Sequence, residues 1–202
     1  MSTLLKKSVN LKAAAKEYLK ILASEKYLRY RIEETALQSL INKYPDNSDF
    51  NGVFIKVTML NLYYNTRLQN SFIISVAKRI HGIKNFDKRL KEGDVNLLSD
   101  ISIPNTKEEH KCFSFATKYC VLHNPDKFVI YDSIVRKALK QCRDEELISD
   151  YKAYEPDDYL KDIERYRKYM DVLKEFQQKC EIGSLRDLDW FLWTYGKENS
   201  KT

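Results

Sequence analysis

Cys112-Phe113-Ser114-Phe115-Ala116-Thr117-Lys118-Tyr119-Cys120-Val121-Leu122 is a run of eleven residues carrying one charge. At about 100° per residue its apolar groups surround the helix axis instead of marking one side, which is the pattern of a helix buried on all faces. A helix of that kind needs other helices around it. The fold that follows is all-α: a single, mostly helical domain over residues 1–202 with a central buried helix near residues 107–122.

Working outward, Thr106-Lys107-Glu108-Glu109 fits a capping box, so the central helix is expected to start there and to reach about Leu122. The loop His123-Asn124-Pro125-Asp126-Lys127 follows, and Asp132-Ser133 reads as a cap over a helix from Ile134 to Cys142. Upstream, residues 9–43 read as one bent or two consecutive helices, with Ser24 as a candidate cap for the second, and Pro45 to Asp49 is a loop by composition. Val53 to Leu62 is apolar and β-branched; with no partner strand in view it reads as helix. Asn70 to His81 carries Phe72, Ile73, Val76, Ala77 and Ile80 on one face and stops at Gly82. Lys84 to Asn105 reads as a polar segment with a short helix near Phe86 to Lys91. Glu155-Pro156-Asp157-Asp158 opens the longest helix, with the stripe Tyr159, Ile163, Tyr166, Met170 and Leu173. Gly183-Ser184 breaks the chain, and a last short helix from Leu185 is expected to end before Gly196. The domain thus divides into an N-terminal helical arm (1–44), a core (53–143) and C-terminal helices (155–196).

Composition supports helix and narrows function. The 202 residues include only five Gly and four Pro, too few for the many turns of a β-sandwich or barrel. No uncharged run approaches the ~18 to 20 residues of a membrane span. The start Met1-Ser2-Thr3-Leu4-Leu5-Lys6-Lys7 has no apolar segment or small-residue cleavage site, so a cytoplasmic location is expected. Cys112, Cys120, Cys142 and Cys180 are widely spaced, and His81, His110 and His123 are dispersed, which implies free thiols, no metal site and no Ser/His/Asp triad. There is no Gly-rich phosphate loop, and no cofactor is implied.

Lys118 is the residue that draws attention. On the helical wheel it lies beside Phe115, Tyr119 and Leu122, so its ammonium must reach a cleft, a carboxylate or solvent. Desolvation lowers a lysine's pKa and makes the amine a nucleophile towards aldehydes and sugar C1′ carbons. Asp132 is the nearest carboxylate in a plausible position, at a helix start where free backbone amides favour anions. The following helix carries Arg136, Lys137, Lys140 and Arg143 on its polar side, next to Ser133. A snorkelling lysine, an ordinary N-cap and a solvated basic face account for the same residues equally simply.

Phe115-Ala116-Thr117-Lys118-Tyr119-Cys120, a loop, then Val129-Ile130-Tyr131-Asp132-Ser133-Ile134-Val135 resembles the lysine and aspartate signature of the helix-hairpin-helix DNA glycosylase/lyase superfamily, particularly the 8-oxoguanine DNA glycosylase fold. The resemblance implies that Lys118 attacks C1′ of a damaged nucleoside and that Asp132 assists. Tyr63-Tyr64-Asn65-Thr66 looks similar to the family's Asn/Gln-Thr segment beside the flipped nucleotide, which makes Asn65 and Thr66 DNA-side candidates; an ordinary polar turn between helices reads the same way. The place of the family's Gly-x-Gly hairpin is taken here by Lys111-Cys112-Phe113-Ser114-Phe115-Ala116.

The implied function is a DNA-binding, glycosylase-like protein that excises a damaged base with lyase activity through a Lys118 Schiff base. Its partner would be double-stranded DNA, contacted by Asn65, Thr66, Ser133, Arg136, Lys137 and Lys140. The net charge of +6 permits such a partner without demanding it. Two alternatives use the same residues: a non-catalytic helical binding or regulatory module, and a small-molecule enzyme using Lys118 as an amine catalyst.

Overall fold

The computed structural model describes residues 11–66, 68–102, 112–144 and 162–199, and their regular secondary structure is entirely helical. The helices are α1 (Leu11–Ala23), α2 (Leu28–Lys43), α3 (Phe50–Tyr64), α4 (Asn70–Gly82), α5 (Phe86–Glu92), α6 (Asn96–Ser102), α7 (Phe113–His123), α8 (Ser133–Asp144), α9 (Asp162–Cys180) and α10 (Leu185–Asn199). A 3-10 turn, Glu25–Tyr27, joins α1 to α2. The helices gather into two compact units, one within residues 1–28 and 131–202 and the other within residues 29–130.

In the first unit α10 packs against α8, α1 and α9. Its core is aromatic, with Tyr166, Tyr169, Phe176 and Phe191 fully buried. The buried stripe of α9 is Tyr166, Tyr169, Leu173, Phe176 and Cys180. Ile163 and Met170, expected in that stripe, are only half-buried, because the buried face is centred on Tyr169 and Phe176 instead. The expected opening of this helix at Glu155, and Tyr159 with it, lies outside the described residues. α10 does not stop before Gly196 but runs through it to Asn199. The reason is packing: a Cβ at Gly196 would stand 2.6 Å from Ile134 Cγ2 on α8, so glycine lets the two helices approach.

The second unit holds α2 from Arg29 onward and α3 to α7. α3 packs against α4, which follows it in the chain, and also against α7, while α6 packs against α7 and α4. Val53, Val57 and Leu60 of α3, Val76, Ala77 and Ile80 of α4, and Phe115, Ala116 and Tyr119 of α7 fill its core. Each fully buried Val, Leu, Ile or Phe side chain among them contributes about 1.5–3 kcal/mol. α3 starts at Phe50, before the expected Val53, because Asp49 accepts hydrogen bonds from the backbone N–H of Asn51 (3.3 Å) and Gly52 (2.7 Å). Ser24 makes no such cap; its Oγ donates to Ile21 O instead, at 2.6 Å. The segment expected to be polar contains α6 as well as α5, and Gly93 (φ 77°) closes α5 in the left-handed conformation.

α7 is the central buried helix of this unit, with every residue from Phe115 to Leu122 buried. It starts at Phe113 with Cys112 as its N-cap, later than expected. Cys112 is held to the end of α6, its N–H donating to Ser102 O at 3.4 Å. The capping box Thr106 to Glu109 lies outside the described residues. No helix among the described residues is long and apolar enough to cross a membrane.

Candidate functional site

Lys118 is 6% exposed, so the single charge of α7 is buried. Its Nζ donates to Ser114 Oγ, one turn back, at 2.9 Å, and lies 5.8 Å from the centre of the Tyr64 ring. The Tyr64 hydroxyl in turn donates to Glu34 Oε2 at 2.7 Å. Tyr64 is the last residue of α3 and the next two residues are Asn65 and Thr66. The fold therefore brings the lysine and the Tyr-Asn-Thr segment together inside one unit.

Asn61 builds that segment's turn. Asn65 is the C-cap of α3 in the left-handed conformation (φ 45°, ψ 52°), which asparagine tolerates better than most residues. Thr66 Oγ1 donates to Asn61 Oδ1 at 2.6 Å, the Leu68 N–H donates to the same oxygen at 3.0 Å, and Asn61 Nδ2 donates to Leu68 O at 3.0 Å. Asn65 is exposed, whereas Thr66 is half-buried with its hydroxyl on Asn61.

The remaining expected site residues belong to the other unit. Asp132 Oδ1 accepts from the Ile134 N–H at 2.8 Å, so this carboxylate caps α8 as the sequence suggests. Ser133, Lys137 and Lys140 are exposed on α8. Arg136 is half-buried and folds onto Tyr131: its guanidinium carbon lies 4.8 Å from the ring centre and Nη1 donates to the hydroxyl at 3.0 Å. Tyr131 packs edge-on against Tyr169. The division between units runs between Ile130 and Tyr131, so Lys118 and Asp132 are carried by different bodies.

A buried polar network in the second unit was not anticipated from the sequence. Lys56 of α3 is completely buried, and its Nζ donates to Tyr44 O (3.0 Å), Asp46 O (2.7 Å) and Asn47 Oδ1 (3.0 Å). Burial pushes its pKa down to about 8, against the opposing pull of Asp87, Asp46 and Asp49. The Tyr119 hydroxyl also donates to Asn47 Oδ1. Asn47 Nδ2 and N donate to the Asp87 carboxylate at 2.6 and 3.1 Å, and His81 Nδ1 lies 3.2 Å from Asn47 O. His123 closes the group: its ring centre is 5.1 Å from that of Tyr119, and its Nε2 is buried without a hydrogen-bond partner. Burial, helped by the charge of Lys56, pushes the His123 pKa down to about 3. One signal in the sequence pointed to Lys56, because it is the sole charge of Val53 to Leu62 as Lys118 is of Cys112 to Leu122.

Cys112, Cys120, Cys142 and Cys180 are free thiols. Burial raises the thiol pKa of Cys120 strongly and pushes that of Cys180 up to about 12, so neither is a reactive thiolate at neutral pH. Among the described residues no group of three or more His, Cys, Asp or Glu converges to hold a metal ion.

A family model named HI_0787_N and described as an N-terminal domain matches residues 14–127, from α1 to the loop after α7. A protein of Haemophilus influenzae, described as an uncharacterized protein, is 39% identical over 155 residues, covering 76% of this chain and 70% of the relative. No solved structure matches.

Proposed function

The chain belongs to the HI_0787_N family, and from the resemblance of its Lys118 and Asp132 segments we propose that it is a DNA-binding, glycosylase-like protein whose reactive group is the amine of Lys118. The observation that carries the reading is that Nζ of Lys118 and the ring of Tyr64, next to Asn65 and Thr66, share one place in the second unit. In the resembled family the attacking lysine and the Asn/Gln-Thr segment both belong to the site of the flipped nucleotide.

The reaction runs as follows. A target nucleotide is flipped from the duplex. Lys118 Nζ, as the free amine, attacks C1′; the glycosidic bond breaks, the base leaves with the bonding pair and takes up a proton, and the attacking nitrogen gives one up. The sugar ring opens to an imine between Nζ and C1′. Loss of a C2′ proton expels the 3′ phosphate, and water hydrolyses the imine to free the lysine. Asp132 is the activator, a role that rests on the resemblance alone. Exposed Lys137 and Lys140, with Ser133 at the start of α8, are contacts for DNA phosphates, as is Asn65 on the lysine-bearing unit. Free thiols suit a reducing compartment, and we place the protein in the cytoplasm.

One observation favours a second reading, a non-catalytic binding module. Lys118 Nζ donates to Ser114 Oγ and faces the Tyr64 ring, an arrangement that orients the side chain as a positive group for a phosphate. Borohydride trapping on duplex DNA carrying an abasic site or 8-oxoguanine separates the two. The catalytic reading expects a covalent adduct that disappears in Lys118→Ala and weakens in Asp132→Asn. Well-folded protein that forms no adduct overturns it. Binding would then be measured against salt, where the second reading expects affinity to fall steeply as salt rises.

A further inference from the structure

We propose that the buried Asn47–Lys56–Tyr119 network fixes the rotation of α7 and so sets where the Lys118 amine stands, which makes these three residues positioning residues of the Lys118 site. The inference rests on the reading of Lys118 given above.

Tyr119 directly follows Lys118 on a helix that turns as one body. Its ring lies among Phe86, Phe115 and His123, with ring centres 6.1, 6.1 and 5.1 Å away. Ring contacts of that kind tolerate small rotations, whereas a hydrogen bond at the tip of the side chain does not. The tyrosine hydroxyl stands roughly 9 Å from the helix axis, so a turn of about 10° moves it about 1.5 Å, past hydrogen-bonding range. The same turn would displace the Lys118 amine by a similar amount, and a misplacement of about 1 Å in a reacting group can cost about a hundredfold in rate.

An anchor works only if it does not move with the helix, and Asn47 meets that condition. Its Oδ1 accepts from both Tyr119 and Lys56. Its amide nitrogen and backbone N–H both donate to Asp87 on α5, and its carbonyl faces His81 on α4. Lys56 spends its two other donors on the carbonyls of Tyr44 and Asp46, so the loop between α2 and α3 is bolted to α3, α4 and α5 at once. The charged and titratable groups facing Lys56 are Asp46 and Asp49 in that loop, Asp87 on α5, and Tyr119 and His123 on α7.

The test uses the full chain, with Tyr119→Phe removing only the hydroxyl and Asp87→Ala loosening Asn47 from a solvent-exposed position. Three quantities are measured: the single-turnover rate of borohydride-trapped adduct on abasic duplex DNA, the affinity for that DNA, and the pH titration of the Lys118 resonance after reductive ¹³C-methylation, assigned by its absence in Lys118→Ala. The expected result for Tyr119→Phe is a rate about tenfold lower with affinity within about twofold, and a displaced Lys118 titration. Asp87→Ala is expected to move all three in the same direction by less, and it decides the matter if Tyr119→Phe does not fold. A lowered melting temperature with unchanged Lys118 titration and unchanged rate would reduce Tyr119 to a core residue and overturn the proposal. If the wild type forms no adduct, the glycosylase reading falls, and the Lys118 titration alone then decides whether the network positions the amine.

Discussion

Lys56 and Lys118 enter the second unit by the same route, each as the lone charge of an apolar helical run, and they end in opposite circumstances. Lys56 is caged, with three ammonium donors on three oxygens of the preceding loop. Lys118 is buried almost as deeply, yet its amine rests on a serine hydroxyl and an aromatic face at the end of α3. A caged ammonium organises backbone and has no donor left for a ligand. The Lys118 amine instead stands beside the end of α3, next to Asn65 and Thr66, and chemistry is proposed there.

The comparison breaks first if Lys56 proves dispensable. Lys56→Met would take the lysine donor from the buried Asn47 Oδ1 and from the part-buried Tyr44 and Asp46 carbonyls, and each buried group left short of its partner costs about 1–3 kcal/mol. The expected loss is about 2–5 kcal/mol, read from urea denaturation. The wild type also carries an alkaline signature. Because the fold lowers the Lys56 pKa from 10.5 to about 8, the unfolded chain holds that proton more tightly than the folded one. The penalty is fully present below about pH 8 and is relieved as pH climbs to 10.5, so stability should rise across that window. Lys56→Met should lack the rise.

Much of the fold was legible for a simple reason: helical periodicity and scarce turn residues both act locally. The buried character of α7, the extent of α4 and the Asp132 cap of α8 all follow from neighbours within a turn or two. The misses come from partners distant in sequence. α10 continues through Gly196 because α8 lies against it, and the buried face of α9 is chosen by the aromatic core it meets. The site was half legible for the same reason. A lone lysine in an apolar run is visible, but Tyr64 and Ser114 around one and Asn47 around the other are supplied by tertiary packing. Lys56 shows the same local pattern as Lys118, a lone charge in an apolar run, but no family signature surrounds it.

The next effect separates the two ends of the network. His123 is held neutral by burial, with its pKa near 3 against an ordinary 6.5. A folded-state pKa below the unfolded one means that the unfolded chain gains protons first as pH falls. Stability should therefore drop by about 1.4 kcal/mol per pH unit from pH 6.5 towards pH 3 on account of this group. His123→Phe keeps a ring beside Tyr119 and removes both the titration and the unpartnered Nε2. It should be neutral or stabilising at pH 7 and should flatten the acid limb of the stability curve relative to wild type; equal acid limbs would remove His123 from the account.

The smallest effect is the one that sharpens the comparison most. Lys118→Met removes, among its interactions, the hydrogen bond to Ser114 and the contact with the Tyr64 ring, worth about 1 kcal/mol each, while relieving the desolvation of a buried charge. The two contributions oppose each other, so the melting curve should stay within about 1 kcal/mol of wild type, and Ser114→Ala should behave likewise. Lys56→Met, an identical change of side chain in a helix of similar composition, should cost several times more. Equal losses at the two positions would mean that Lys118 is as much a part of the scaffold as Lys56. A large loss at Lys56 beside a negligible one at Lys118 is what a lysine retained for its amine requires, since a charge that adds nothing to stability and is still kept out of water must be explained by what it does.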